Sequence, residues 1–355
     1  MQNIIKMKKF VPYREIGDQD VLIIDGQHKR CVKLSHWGGA NTYNDISGDS
    51  SAEIVLNAIH KNHHTLNREL VSASHFDIDG FVGVWSYFHP DKAIEAANIL
   101  KEMAVTGDFR EYNPQVRDAN QILKLVCWIN RMEKENFYPP FGVSNELSSC
   151  HHKFLYFLET FEDILDHTGN YQKVWQDEYQ KVLADIEIMH KPETRIEKYD
   201  DIGLVIVETP EPVHYYAITG MTVGYDTVLS IFSNNRYELE YKYHTWIDMI
   251  SRPTWPRLKL TSLISELNQI EQNDKNWYMD RLADSGPILR LIDEPVPKVI
   301  RYDQPYKREI FSSSIDNDVI KNKVVSYFRE SYKNIVPKTT WTSSDLRMIN
   351  KNLLE

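Results

Sequence analysis

Residues 69–88 read ELVSASHFDIDGFVGVWSYF and predict a strand, a turn and a helix in succession. The run 69–73 has the composition of a buried strand, and Gly80 lets the chain turn sharply into a helix over 81–88. Asp77 and Asp79 lie two residues apart after the strand, so we expect both carboxylates to face the same way. In an open α/β sheet, ligands bind at this carboxyl end of the strands.

The rest of the N-terminal region alternates strand-like and helix-like segments in the same manner. The predicted elements are strands over 21–24 and 31–34 and helices over about 50–62, 91–104 and 115–135. Ser50 and Glu53 have the spacing of a capping box, which marks the start of the first of these helices. Strands that alternate with helices indicate βαβ units and a mostly parallel sheet.

The sequence therefore predicts an α/β protein made of several parts. Apolar residues at helical spacing indicate a helical connector, and the strict alternation over 237–243 indicates a return to β structure. The predicted parts are an N-terminal α/β domain with a mostly parallel sheet at 1–138, a helical connector at 139–199, a smaller mixed α/β domain at 200–295, and a tail at 296–355 with a helix near 317–334.

Composition and charge exclude several classes of protein. The chain has 355 residues and a formal net charge of -10, so it lacks the basic surface that extended nucleic acid requires. No apolar run is long enough for a signal peptide or a membrane span. Three cysteines are too few for a disulfide framework. We expect a cytoplasmic protein whose partners include neither a membrane nor extended nucleic acid.

Three further segments place an acidic or imidazole group where a strand or loop leads into a helix. Asp25 ends the run VLIID, His36 ends CVKLSH, and Asp108 lies in the predicted loop AVTGDFR. In one parallel sheet such positions converge on the same edge, and clustered carboxylates with histidine suit Mn²⁺ or Mg²⁺, with Fe and Zn²⁺ as further candidates. The alternative is that these residues are ordinary loop residues and that the aspartates of 74–80 cap the following helix.

Three stretches resemble motifs of the DHH phosphoesterase superfamily. Residues 21–59 are similar to the region around the motif that names the superfamily, residues 74–85 (SHFDIDGFVGVW) to its first motif, and residues 105–123 to its fourth. The segment that resembles the first motif follows the segment that resembles the second and third motifs, as in a circular permutation, which proteins tolerate because their termini often lie close together. The region after residue 200 loosely resembles the DHH-associated domain but lacks its GGGH loop.

The resemblance implies a set of site residues. The implied metal ligands are Asp25, His36, His75, Asp77, Asp79 and Asp108, and we expect His36, His75 and Asp108 to act in catalysis as well. One departure concerns the naming triplet: Ser35, His36 and Trp37 stand where the superfamily has Asp-His-His, so an acidic residue and a histidine are missing.

An aromatic and basic cluster in the C-terminal region is the candidate substrate site. Arg252 and Arg257 are suited to binding an anion bidentately and Trp246 to stacking on a planar ring, and His244 is a further candidate substrate-binding residue. In the DHH superfamily the associated domain closes over the metal site, so the resemblance implies an active site between two lobes. The alternative is that the tryptophans pack in the core and the arginines are surface residues.

The sequence thus predicts a metal-dependent hydrolase, a phosphoesterase-like enzyme that uses Mn²⁺ and acts on a small anionic or phosphorylated substrate. Bound cations reverse the local charge, so an acidic chain can accept a small anion. A homodimer is kept as an alternative to a monomer. Two other functions stay open: a non-catalytic or repurposed binding or regulatory protein with a degenerate site, and a metal enzyme of different chemistry on the same scaffold.

Overall fold

A computed structural model describes residues 8–138, 150–294 and 303–352. The chain forms two compact units, which divide between Tyr179 and Gln180 and are called the N-terminal unit and the C-terminal unit below. Both contain a sheet and several helices, so the predicted α/β class is confirmed. The four-part division of the chain that we drew from the sequence stays a prediction.

A four-stranded sheet with strand order β1-β4-β2-β3 forms the centre of the N-terminal unit. The strands are β1 (Lys9–Phe10), β2 (Val21–Ile24), β3 (Val32–Leu34) and β4 (Leu70–Ser72). All three pairings are parallel, as predicted. Every residue of β2 is buried, which explains why this strand reads as an uninterrupted apolar run.

Helices make up most of the rest of the described N-terminal unit. They are α1 (Ser51–His60), α2 (Ile78–Phe88), α3 (Pro90–Glu95), α4 (Ala97–Asp108), α5 (Ala119–Phe137), α6 (Cys150–Asp166) and α7 (Gln172–Met189), and the two units divide within α7. One half of the predicted capping box is present, because the Glu53 N–H donates to Ser50 Oγ at 3.1 Å. The Glu53 carboxylate, however, reaches the Asp49 N–H and not that of Ser50.

Two predictions about the region before Asp108 are wrong. The single helix expected over 91–104 is two helices separated at Ala96, a break that the apolar spacing does not signal. Gly107 and Asp108 belong to α4 and not to a loop. A Cβ on Gly107 would lie 2.4 Å from the Ile78 Cβ, so this glycine lets α4 pack closely against α2.

The C-terminal unit contains a mixed six-stranded sheet with strand order β5-β6-β7-β8-β10-β9. Its strands are β5 (Arg195–Tyr199), β6 (Leu204–Thr209), β7 (Thr227–Phe232), β8 (Arg236–Tyr241), β9 (Asn276–Met279) and β10 (Ile288–Ile292). Only β6 and β7 pair in parallel among these described strands. The segment predicted as a purely helical connector therefore ends in a strand, β5, whose polar sequence RIEKY suits a sheet edge.

The described α-helices that begin in the C-terminal unit are α8 (Tyr215–Met221), α9 (Thr261–Ile270), α10 (Asn317–Tyr332) and α11 (Ser343–Asn352). Leu263 of α9 and Phe328 of α10 pack with Tyr237 and Leu239 of β8 in one hydrophobic core. Across residues 8–138, 150–294 and 303–352, no helix combines the length and apolar character that a bilayer-spanning segment requires.

Candidate metal centre

Asp25 lies at the centre of the candidate site, directly after β2. Its side chain is fully buried, and its φ of +50° is in the left-handed region that few non-glycine residues adopt. Hydrogen bonds fix this conformation: the Asp25 N–H donates to the Leu34 carbonyl at 3.2 Å, and Ser74 Oγ donates to the Asp25 carbonyl at 3.1 Å. The backbone therefore holds the carboxylate at the carboxyl end of the sheet.

Asp25, His36 and Asp79 form what we call the inner group, whose ligand atoms lie within 4.8 Å of one another. His36 Nε2 is 3.4 Å from Asp25 Oδ1 and 3.6 Å from Asp79 Oδ2, and Asp108 Oδ2 lies 3.7 Å from the same nitrogen. His36 Nδ1 is 2.7 Å from the Asp49 carbonyl oxygen. Because a carbonyl only accepts, Nδ1 carries a proton, and in the neutral ring Nε2 presents its lone pair to the three carboxylates.

Asp25, His75 and Asp77 form the outer group, which is more accessible to solvent. His75 Nε2 lies 2.7 Å from Asp77 Oδ2 and 3.4 Å from Asp25 Oδ2. Ser74 Oγ, 3.2 Å from His75 Nδ1, already donates its proton to a carbonyl and so accepts from that nitrogen. The neutral ring again turns Nε2 toward the carboxylates, and 40% of the His75 side chain is exposed.

The two oxygens of Asp25 have different environments. Oδ1 accepts hydrogen bonds from Trp37 Nε1 and Ser51 Oγ, each at 2.9 Å. Oδ2 is buried and has no hydrogen-bond partner among the described residues. A Cβ on Gly80 would lie 3.1 Å from this oxygen, so the glycine allows α2 to begin beside it. A buried, unpartnered carboxylate oxygen is costly in a folded protein, and a bound cation would compensate it.

Asp77 and Asp79 also cap helices. The alternative interpretation of the sequence, in which both cap the following helix, holds for Asp77 only. Asp77 Oδ1 accepts from the Gly80 N–H at 2.7 Å and caps its own helix, α2. Asp79 instead accepts from the Ser51 and Ala52 N–H groups, both at 2.8 Å, and so caps α1. Because α2 begins at Ile78, neither aspartate is on a strand, and the two carboxylates lie in different groups and do not face the same way.

The electrostatics of the cluster favour bound positive charge. Burial opposes protonation of His36, but its hydrogen bond to Asp25 and the charges of Asp79 and Asp108 raise its pKa to about 10. Burial likewise opposes protonation of His75, but Asp77 and Asp25 raise its pKa to about 10. Burial raises the pKa of Asp79 to about 6 and that of Asp108 well above its usual range.

Asp25 is the exception among these carboxylates. Burial opposes its ionisation, but the charge of His75 and the contact with His36 lower its pKa to about 2. In the absence of a metal, the cluster therefore retains protons on its imidazoles to balance Asp25 and its neighbours.

Arg257 belongs to the C-terminal unit, and its guanidinium is enclosed by the protein. Only 2% of the residue is exposed. It donates to Thr245 Oγ1 and to the carbonyl oxygens of Lys242, Leu282, Asp284 and Ser285, at 2.6–3.2 Å. This arrangement favours a structural role for Arg257 over binding of an anion.

Arg252 and His244 form a compensated network with Asp226. Arg252 Nη1 is 2.9 Å from Asp226 Oδ1, and Arg252 Nη2 is 3.0 Å from His244 Nε2. His244 is fully buried, whereas Arg252 is partly exposed. Trp255 stacks on Tyr332 with ring centroids 4.4 Å apart, which agrees with the core-packing alternative for the tryptophans. The Trp246 side chain lies outside the described residues.

Sequence reasoning missed two side chains of the site. Ser51 and Trp37 both donate to Asp25 Oδ1, and Ser51 Oγ also accepts from the His36 N–H at 3.3 Å. Ser51 follows the helix cap Ser50, and Trp37 stands where the Asp-His-His motif of the DHH superfamily has its second histidine. The sequence therefore marks both positions without indicating that they hydrogen-bond to Asp25.

The chain belongs to a family of unknown function (DUF6687), whose family model matches residues 6–339. Neither the curated proteins nor the solved structures contain a match to it. Membership of this family carries no activity with it, so the function is inferred from the geometry around Asp25.

Proposed function

We propose that this member of the DUF6687 family is a metal-dependent hydrolase, a phosphoesterase-like enzyme that acts on a small anionic or phosphorylated substrate. The observation that carries the proposal is the pair of ligand groups that share Asp25, whose Oδ2 is buried without a hydrogen-bond partner among the described residues. The resemblance to the DHH superfamily, in permuted order, points to the same residues and the same chemistry.

The donor atoms of both groups fit a divalent cation. Carboxylate oxygens with one imidazole nitrogen suit Mn²⁺ best, with Mg²⁺, Fe and Zn²⁺ as alternatives. Each histidine donates from Nδ1 to an oxygen, the Asp49 carbonyl for His36 and Ser74 Oγ for His75. Such hydrogen bonds fix the tautomer and orient the other nitrogen, as they do around the metals of known metalloproteins.

A divalent cation bound here would supply Lewis-acid activation of water and stabilise negative charge on a phosphoryl group. The protein residues have separable tasks. His36 is buried and held through Nδ1, so it serves to bind and orient. His75 is partly exposed and Asp108 has a raised pKa, so these two are the candidates for holding and transferring a proton to the leaving group.

Metal analysis of the purified full-length protein tests this proposal. We expect bound manganese in the wild type and its loss in Asp77→Ala/Asp79→Ala, together with Mn²⁺-dependent turnover in a panel of phosphoesters. Asp18→Ala/Asp20→Ala is the matched control, because it removes two exposed aspartates with the same spacing. An equally negligible metal content in the wild type and both variants would contradict the proposal.

A second candidate is a non-catalytic binding or regulatory protein with a degenerate site. Trp37 favours it, since its indole N–H occupies Asp25 Oδ1 in the region where the resemblance implies a histidine. Turnover of any phosphoester by the wild type, lost in Asp77→Ala/Asp79→Ala, would remove this candidate. Bound metal without turnover would support it.

The cytoplasm is the compartment that we propose for this activity. Cys31, Cys127 and Cys150 are all free thiols, the state that a reducing compartment maintains. Labelling of the thiols in cell extracts prepared under acid quench would test this assignment.

A further inference from the structure

A cleft of about 870 Å³ in the N-terminal unit includes Ser74 and His75 in its wall. Its volume lies in the range of sites for small organic ligands. His75 belongs to the outer group as well, so the cleft and the candidate metal centre share a side chain. A molecule in the cleft would therefore have one end next to the outer group.

Aromatic rings form much of the cleft wall. Phe10, Tyr13, Phe76 and Tyr138 all line it. Phe76 is held in place by stacking on Phe157 with centroids 5.0 Å apart, and Phe10 by stacking on Phe154 at 4.5 Å. Fixed aromatic rings bind flat apolar groups at little entropic cost.

The polar residues of the cleft are mostly basic. Arg14, His151, His152 and Lys153 line it, against one acidic residue, Glu15, but the Lys153 ammonium is already paired with the Glu133 carboxylate 2.7 Å away. His151 stacks on Phe10 with centroids 5.6 Å apart, and its buried Nδ1 has no hydrogen-bond partner among the described residues. The cleft therefore offers the Arg14 guanidinium and an unused imidazole nitrogen beside its apolar wall, a combination that suits an organic anion.

We infer that this cleft binds the non-reacting part of the substrate, a small organic phosphate with a flat apolar body. The inference rests on the proposed function for the position of the phosphoryl end, which lies toward His75. The body then packs against Tyr13, Phe10 and Phe76, and Arg14 adds positive charge at the exposed margin. The specificity for the body of the substrate is thus built into the N-terminal unit.

Calorimetric titration of the Mn²⁺-loaded full-length protein with phenylphosphonate and methylphosphonate tests the inference. These probes share the anionic group and differ in the apolar body. We expect phenylphosphonate to bind the wild type at least about tenfold more tightly, which is the scale for burial of one ring. Tyr13→Ala should remove this advantage and leave methylphosphonate binding unchanged. Arg14→Glu should weaken binding of both probes.

The matched controls replace the same residue types elsewhere in the N-terminal unit. Tyr43→Ala and Arg117→Glu change exposed residues that do not line the cleft, so they should bind both probes like the wild type. Three results would each overturn the inference. The wild type binds the two probes with equal affinity, it binds neither probe, or the cleft variants behave like their controls. Manganese content is measured on the same samples, so failure of the cleft is distinguished from failure of the metal centre.

Discussion

Glu238 and Asp280 in the C-terminal unit face buried arginines, whereas several carboxylates gather around Asp25 in the N-terminal unit. Arg308 donates from Nε and Nη2 to the two oxygens of Glu238, at 2.8 and 2.5 Å, and Arg290 lies 3.2 Å from Asp280. In the N-terminal unit, four carboxylates are arranged around two imidazoles, which must keep their protons to offset part of the negative charge when no cation is bound. The first arrangement is complete without a ligand, whereas a bound cation would stabilise the second.

This difference shows which buried charges indicate function. A buried ion pair with good hydrogen bonds is a structural feature that an apolar pair could replace. A cluster of several carboxylates with a buried, unpartnered oxygen, Asp25 Oδ2, is the kind of arrangement that a bound cation would stabilise, which is why we base the proposed function on it. The basic and aromatic cluster of the C-terminal unit is a candidate substrate site in the sequence, yet Arg257 and His244 already form hydrogen bonds with neighbouring residues of the protein.

The largest expected effect is on metal binding by Asp25→Asn. This substitution keeps the shape of the side chain but removes the charge that both ligand groups share. We expect manganese affinity to fall by more than the roughly 10–100-fold that loss of an outer-shell partner causes. Titration calorimetry measures the effect, with Glu238→Gln as a control that removes a buried charge elsewhere. Wild-type affinity in Asp25→Asn would contradict a shared metal ligand.

Glu238→Gln should have the opposite pattern, a loss of stability with metal binding unchanged. It leaves Arg308 buried without its carboxylate and leaves Arg290 with Asp280 alone, so the free energy of unfolding should fall by about 3–5 kcal/mol. Urea denaturation measures this loss. Glu211→Gln, which breaks the more exposed pair with Arg236, is the control and should cost about 1 kcal/mol or less. Equal effects of the two substitutions would contradict the structural role of Glu238.

The metal-free protein should become less stable as pH rises from 6.5 to 10. The pKa values of His36 and His75 are about 10 in the folded protein, against 6.5 in the unfolded chain. Their stabilising contribution is therefore complete below pH 6.5 and is lost as pH rises through 10. Urea denaturation in EDTA across this range should show the decline, and His36→Gln/His75→Gln should flatten it. An unchanged slope in the double variant would refute this origin.

The smallest expected effect is that of Trp37→Phe. It removes the indole donor to Asp25 Oδ1 and keeps a ring near His75, 5.4 Å away between centroids. Manganese affinity should change by up to about tenfold and stability by about 1 kcal/mol. Trp175→Phe is the matched control, because it removes a buried indole hydrogen bond to the Thr168 carbonyl in the same unit. Identical manganese affinities in the two variants would show that Trp37 does not tune Asp25.

Local patterns in the sequence predicted the N-terminal sheet and most helices. Strands β2, β3 and β4 are short apolar runs bounded by turns, and the Ser50 cap begins α1, so neighbouring residues carry the whole signal. Strands β1, β5, β9 and β10 were not predicted. Strand β1 is only two residues long, and β5 and β9 are edge strands in which exposed and buried residues are mixed. These three strands form through hydrogen bonds to a partner strand, and their own sequences give no sign of that partner.

The sequence by itself determined which residues gather at the candidate site, because Asp25, His36, His75, Asp77 and Asp79 each follow a strand, and parallel strands end at one edge. Only the tertiary structure decided how they are grouped. Asp77 caps α2 and faces His75, whereas Asp79 caps α1 and faces His36. The Asp77 cap is local, three residues along the chain, but Asp79 reaches α1 across 27 and 28 residues, a contact that no local pattern encodes.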